Sequence, residues 1–300
     1  MSKPIILYEN MRAAAYIPYY LADVRGAFAA EGVEVEIRTS PATHRTAEAL
    51  LEGEADVSWG GPMRVMLHHD RDPDCSLVCF CQVVGREPFM LIGREPKPDF
   101  RFTDLRNLRI GTVSEVPTPW MCFQDDIQRS GLDPATLNRV TDGTMAGNVA
   151  ALRTGDLDVI QVFEPYADDL LNSGDGHLWH RFSERGATAY TTFYTTTRFA
   201  EQNRATCLAM TRAMAKTQKS LFAEPAETIA SAVASYFPAL SANALARIIN
   251  GYRDNSVWAR TTVLPPTPVV RLKAALISGG LITRDIPYER VVAIGLSEVS

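Results

Sequence analysis

The sequence predicts an α/β protein of two lobes, each a mainly parallel sheet flanked by helices, with a cleft between them. Three observations carry this. A segment occurs twice: Ala49-Leu50-Leu51-Glu52-Gly53-Glu54-Ala55-Asp56-Val57 returns as Ala151-Leu152-Arg153-Thr154-Gly155-Asp156-Leu157-Asp158-Val159, 102 residues on from Gly53 to Gly155, and both copies read A-L-x-x-G-acid-x-D-V. That period is too long for a solenoid and suits two similar lobes. Short apolar runs alternate with helix-like segments, the pattern of parallel sheets. Finally, 300 residues at 46% apolar and 22% charged are enough to build ordinary globular cores.

The elements follow in order. Ile5-Ile6-Leu7-Tyr8 reads as the first strand, and a helix runs through Ile17 and Leu21 to Phe28. Val33, Val35 and Ile37 alternate with Glu34, Glu36 and Arg38, a half-buried strand. Ser40 or Thr43 caps the helix that carries 46–51, which ends at Gly53 in the left-handed conformation. A strand over 55–59 follows, then a helix near 62–69, a strand over 76–84 and another over 89–92. Arg94-Glu95-Pro96-Lys97-Pro98-Asp99 is a polar, proline-rich break and marks a crossing between lobes. The second lobe then opens on a strand at 108–111, a helix over 118–130, a strand near 138–140 and the second repeat copy. The Tyr-, Phe- and Thr-rich stretch 188–197 reads as the strand crossing back. Helices over 204–222, 225–236, 242–252 and 268–278 are expected to brace the first lobe. The lobes are thus 1–93 with 196–300, and 94–195, hinged near 89–94 and 188–195.

Composition excludes several classes. A net charge of −5 and the lack of any Lys/Arg block argue against nucleic acid as a partner. No apolar run reaches the roughly 18–20 residues of a membrane span. Met1-Ser2-Lys3-Pro4 leads straight into the first strand with no apolar leader, and five cysteines without framework spacing suit reduced thiols. The chain as given is therefore expected in the cytoplasm, or in the periplasm if Met1 is not the natural start.

In parallel sheets ligands bind in the loops beyond the carboxyl ends of the strands. That rule selects Asn10, Met11, Arg12, Thr43, His44, Trp59, Gly60 and Arg86 in the first lobe, and Ser114, Glu115, Met145, Phe163 and Glu164 in the second. A flat or apolar ligand would stack on Trp59 or Phe163. An arginine could hold a carboxylate or sulfonate in its fork, and Glu164 could accept from an amine or a pyrimidine N–H. Gly60-Gly61 lets a backbone approach closely or makes a turn. The helix starts after Ser40 and Asp142 add N–H donors.

Signals for other chemistry are weaker. Cys79 and Cys81 would share one face of a strand and could hold a soft metal, but read first as buried core residues. His68 and His69 diverge on a helix, and His177 and His180 have i, i+3 spacing without a third ligand nearby. No G-x-S-x-G elbow and no phosphate-binding glycine loop occurs. No catalytic residue, metal or cofactor is expected.

Several of these residues resemble a known family. Tyr8, Pro18, Ala22, Gly26, Phe28, Gly32-Val33 and Val35, the repeat unit, and Leu105 to Gly111 are together similar to the type II periplasmic solute-binding proteins. The likeness is to the branch that binds sulfonates, nitrate, taurine and pyrimidine precursors of thiamine. It implies two lobes closing on a small molecule, an organic acid, a sulfonate or an aromatic pyrimidine-like compound, and delivery to an ABC permease. The alternative is a cytoplasmic enzyme on the same fold. Fungal pyrimidine synthases carry a longer cysteine run placed elsewhere, and the Lys and His that follow their first G-x-x-D unit have no match here. Desulfinases use a cysteine in the first strand–helix loop, where this chain has Met11, which forms no thiolate. His44-Arg45 is loosely similar to their assisting His and Arg.

Overall fold

The structure, a computed structural model, describes residues 3–298; Met1 and Ser2, on which the expectation for location rests, lie outside them. In chain order it forms β1 (Ile5–Glu9), α1 (Ile17–Val24), α2 (Ala27–Ala30), β2 (Val35–Thr39), α3 (Arg45–Glu52), β3 (Val57–Gly60), α4 (Pro62–Arg71) and β4 (Leu77–Val84). Next come β5 (Met90–Gly93), β6 (Arg109–Gly111), α5 (Thr118–Arg129), β7 (Asn138–Val140), α6 (Met145–Thr154), β8 (Val159–Val162), α7 (Tyr166–Ser173) and β9 (His177–Arg181). The chain ends with β10 (Thr191–Thr196), α8 (Thr197–Gln202), α9 (Arg204–Ala223), α10 (Ala226–Val233), α11 (Ala242–Asp254), α12 (Pro266–Ser278) and α13 (Tyr288–Val291). Among the described residues no helix is long and apolar enough to cross a membrane.

These elements divide into two units. The first runs to Arg86 and takes up Ala187–Lys273 and the chain from Ile282; the second holds Glu87–Gly186 with Ala274–Leu281. Each contains one five-stranded sheet, in the order β2-β1-β3-β10-β4 in the first and β7-β6-β8-β5-β9 in the second. In the first sheet β1 runs parallel to β2 and β3, and β10 is antiparallel to β3 and β4. In the second, β6 is parallel to β7 and β8, and β5 is antiparallel to β8 and β9. The two orders are the same plan, with a single reversed strand in fourth place.

The repeated motif has a shared geometry that explains its letters. Gly53 and Gly155 cap α3 and α6 in the left-handed conformation, at φ 78° and 81°. The next two N–H groups then turn back onto Ala49 O in the first copy and Ala151 O in the second. The closing aspartates reach the neighbouring strand: Asp56 Oδ2 accepts from Ile6 N and Asp158 Oδ2 from Arg109 N, each at 2.8 Å. Each copy thus ends a helix, starts a strand and ties that strand to its parallel neighbour.

Three expectations change. The strands read near the crossings lie inside the sheets, so the chain passes between units at 86/87 and 186/187 rather than at 93/94 and 195/196, and it crosses again at 273/274 and 281/282. The helix expected to reach Phe28 breaks at Gly26, which sits at φ 62° and separates α1 from α2. β9 was not expected, because all five of its residues are half-buried and show no alternation of polar and apolar faces.

Candidate functional site

In the first unit the carboxyl ends of β1, β2, β3 and β4 share one edge of the sheet. That edge brings together the loops bearing Asn10, Met11, Arg12, Thr43, His44, Gly60 and Arg86. Their side chains are in different states. Arg12 Nε donates to both Glu9 oxygens at 3.0 and 3.1 Å, its Nη2 donates to Oε1 at 2.8 Å, and Nη1 donates to Tyr236 O at 3.2 Å. Its guanidinium also lies 4.8 Å from the Tyr236 ring centre and 5.1 Å from that of Tyr20. The fork expected to hold a ligand is therefore occupied by Glu9. That wholly buried carboxylate also accepts from Tyr20 Oη at 2.9 Å and Thr39 Oγ1 at 2.8 Å.

Trp59 is likewise not a platform. It is fully buried, stacked on Tyr19 at 4.6 Å and 4°, with Tyr16 and Tyr20 around it. Gly60 is small for a local reason, since a Cβ there would lie 3.1 Å from the Tyr194 ring, and at Gly61 one would lie 3.2 Å from Tyr190 O. Both glycines make room for β10 and the loop before it. His44 is exposed at the start of α3 and its side chain does not cap the helix. Arg86 N and Gly85 N both donate to Val257 O, which ties the end of β4 to the C-terminal part of the unit.

Deeper along the same edge lies a connected polar group. Asn10 is buried; its Oδ1 accepts from Met11 N at 2.9 Å, so its Nδ2 faces the Tyr16 phenol, to which it donates at 3.2 Å. Tyr194 Oη donates to Thr46 Oγ1, which donates in turn to Thr43 O at 2.9 Å. Burial raises the Tyr16 and Tyr194 phenols, while the charge of Arg64 draws both down. Arg64 stands in the first turn of α4 and is only 7% exposed. Its Nε has no hydrogen-bond partner, and among the described residues it forms no ion pair. The candidate set omits Arg64, Tyr16, Thr46 and Tyr194. The available signal was a charge set among apolar residues in Pro62-Met63-Arg64-Val65-Met66.

In the second unit the candidates follow β6, β7 and β8. Glu115 Oε1 accepts from Met145 N at 2.9 Å, at the start of α6, where Thr144 Oγ1 also accepts from Gly147 N. Glu164 Oε2 accepts from Asp168 N at 2.7 Å, at the start of α7. Both carboxylates thus serve helix N-termini. Phe163 is buried against Phe89, with ring centres 4.7 Å apart, and Met145 is buried; Ser114 is exposed. Nearby, Arg139 lies 3.9 Å over the Trp120 ring and donates from Nε to Thr112 Oγ1 at 2.8 Å. Elsewhere in the unit Arg185 pairs with both Asp126 and the fully buried Glu87.

The cysteines and the paired histidines stand apart from the residues just described. Cys81 has φ 55°, where the β4–β10 register slips, so it is a bulge residue and does not share a face with Cys79. The Cys79 thiol meets Thr192 and the Cys81 thiol meets Thr211. Burial pushes the Cys79 thiol up to about 12 and raises Cys81 further. His69 Nε2 is bonded to Leu77 O at 2.8 Å. His177 and His180 lie on strand β9, whose register against β5 slips at Trp179, so the bulge sets their relative placement. Among the described residues no cluster of three or more potential metal ligands occurs.

Comparison with known proteins adds the following. A profile of the family described as NMT1/THI5 like matches residues 13–228. The "Putative binding protein YtlA" of Bacillus subtilis (strain 168) is 22% identical over 292 residues, spanning 97% of this chain and 87% of that protein. The periplasmic aliphatic sulphonate binding protein SsuA of Escherichia coli superposes with a TM-score of 0.79 at 16% identity, over 99% of both chains. A DSZB mutant in complex with biphenyl-2-sulfinic acid superposes at 0.68 and 14% identity, over 98% of both. At these identities the structural likeness is one of fold.

Proposed function

The chain belongs to the NMT1/THI5-like family, and on that premise we propose that it is a small-molecule binding protein that passes its ligand to an ABC permease. Capture falls to the carboxyl ends of the strands, and the role places the working protein outside the cytoplasmic membrane. YtlA and SsuA, by their names, support a binding role on this fold. The observation that carries the reading is the polar group at the edge of the first sheet. There an oriented amide, two phenols and a guanidinium converge, while every thiol in the chain is buried. These are groups that hold a ligand by hydrogen bonds and charge, and none is set up as a nucleophile.

The test is thermal unfolding with a panel of small carboxylates, sulfonates and pyrimidines, together with native mass spectrometry of the purified chain. A ligand at about 100 times its Kd stabilises by about 2.7 kcal/mol, a shift read directly in Tm. Conversion of a panel compound to product, with no stabilisation by any, would sink the binding reading in favour of an enzyme.

A further inference from the structure

Building on the small-molecule reading above, we propose that Arg64 is the residue that selects the ligand, by holding its oxyanion, a carboxylate or sulfonate, against the first turn of α4. Two arginines evident from the sequence at this edge are already paired. Arg12 is forked onto Glu9, and Arg45 pairs with Glu48, Glu52 and Glu54. Arg64 differs on every count: it is nine-tenths buried, its Nε is sealed without a partner, and no described carboxylate pairs with it.

An arginine stays charged in a protein, and holding that charge largely out of water with no counter-ion beside it is costly. Such a residue either destabilises the fold for nothing or awaits an anion that completes it. Its surroundings favour the anion. Arg64 sits in the first turn of a ten-residue helix whose N-cap, Gly61, has no side chain to cap it, so the positive end of the helix dipole adds to the guanidinium. Tyr16 and Tyr194 feel its charge without neutralising it. Asn10 donates to the Tyr16 oxygen, and the Thr191 side chain also meets that phenol. A guanidinium beside a helix start matches two or three oxygens bearing one negative charge.

The experiment compares the full chain with Arg64→Met and Arg64→Lys, using benzoate, benzenesulfonate and the uncharged benzamide as probes in calorimetry and thermal unfolding. We expect an acid, but not benzamide, to stabilise the native chain. Arg64→Met should weaken acid binding by about 10- to 100-fold, as expected for loss of a hydrogen-bonded charge, and Arg64→Lys should recover part of it. Without probe, Arg64→Met should melt no lower than the native chain, because an unpaired buried charge has been removed. A structural arginine would give the opposite, a clear fall in Tm. Equal stabilisation by benzamide, or an acid response that survives in Arg64→Met, overturns the assignment and leaves small-molecule capture standing. A flat response to all three probes also overturns the assignment, and small-molecule capture is then decided by the wider panel above.

Discussion

Asp56 and Asp158 each accept the backbone N–H of the neighbouring strand, so replacing either with Asn exchanges a charge-assisted bond for a neutral one. Each substitution should cost about 1 kcal/mol, seen as a lower urea midpoint at unchanged slope. Glu9→Gln should cost about 1–3 kcal/mol, since Arg12, Tyr20 and Thr39 all point at that buried carboxylate. The five thiols give a further check: a thiol reagent should find none reactive in the native chain and all five after denaturation, because each is buried. At this scale the sequence was legible where a residue's partner is close in the chain. The repeat glycines, with their left-handed turns, follow from local rules. Arg12 is the exception, since its partner Glu9 is only three residues back, but the burial that aims Glu9 at it comes from the fold. Trp59 misled because strand ends also pack, here against Tyr19.

Among the elements, the alternation of strand and helix was readable nearly to its boundaries, because hydrophobic period and glycine caps are properties of a short window. Pairing across long separations was not. Nothing local says that β5 joins the sheet of β8 and β9 while β10 returns between β3 and β4. The bulge at Cys81 was hidden for a similar reason, since it is created by the register with β10. The β5–β9 pair offers a direct test of this packing. A Cβ on Gly93 would lie 1.9 Å from Trp179, whose Nε1 donates to Glu95 O at 2.8 Å. Gly93→Ala should therefore displace the indole, at about 1–3 kcal/mol, with a shift in tryptophan emission.

For the molecule as a whole, Glu87 and Arg185 lie beside two of the four places where the main chain passes between units, 86/87 and 186/187. Burial pushes the Glu87 carboxyl up to about 7, against the pull of Arg185. A carboxyl raised on folding binds more protons in the native state than in the unfolded one, so its contribution to stability falls as pH rises from about 4.5 to 7. The difference in unfolding free energy between the native chain and Glu87→Gln should therefore slope across that window and level off above it. The reversed fourth strand has another outcome, one set by the order of synthesis. All five strands of the second sheet have been synthesised once Arg181 is made, whereas the first sheet, begun at Ile5, must hold a gap between β3 and β4 until Thr196 arrives. The half of the protein that starts first is the half that finishes last, and a nascent chain halted before residue 191 carries an open sheet edge for a chaperone to cover.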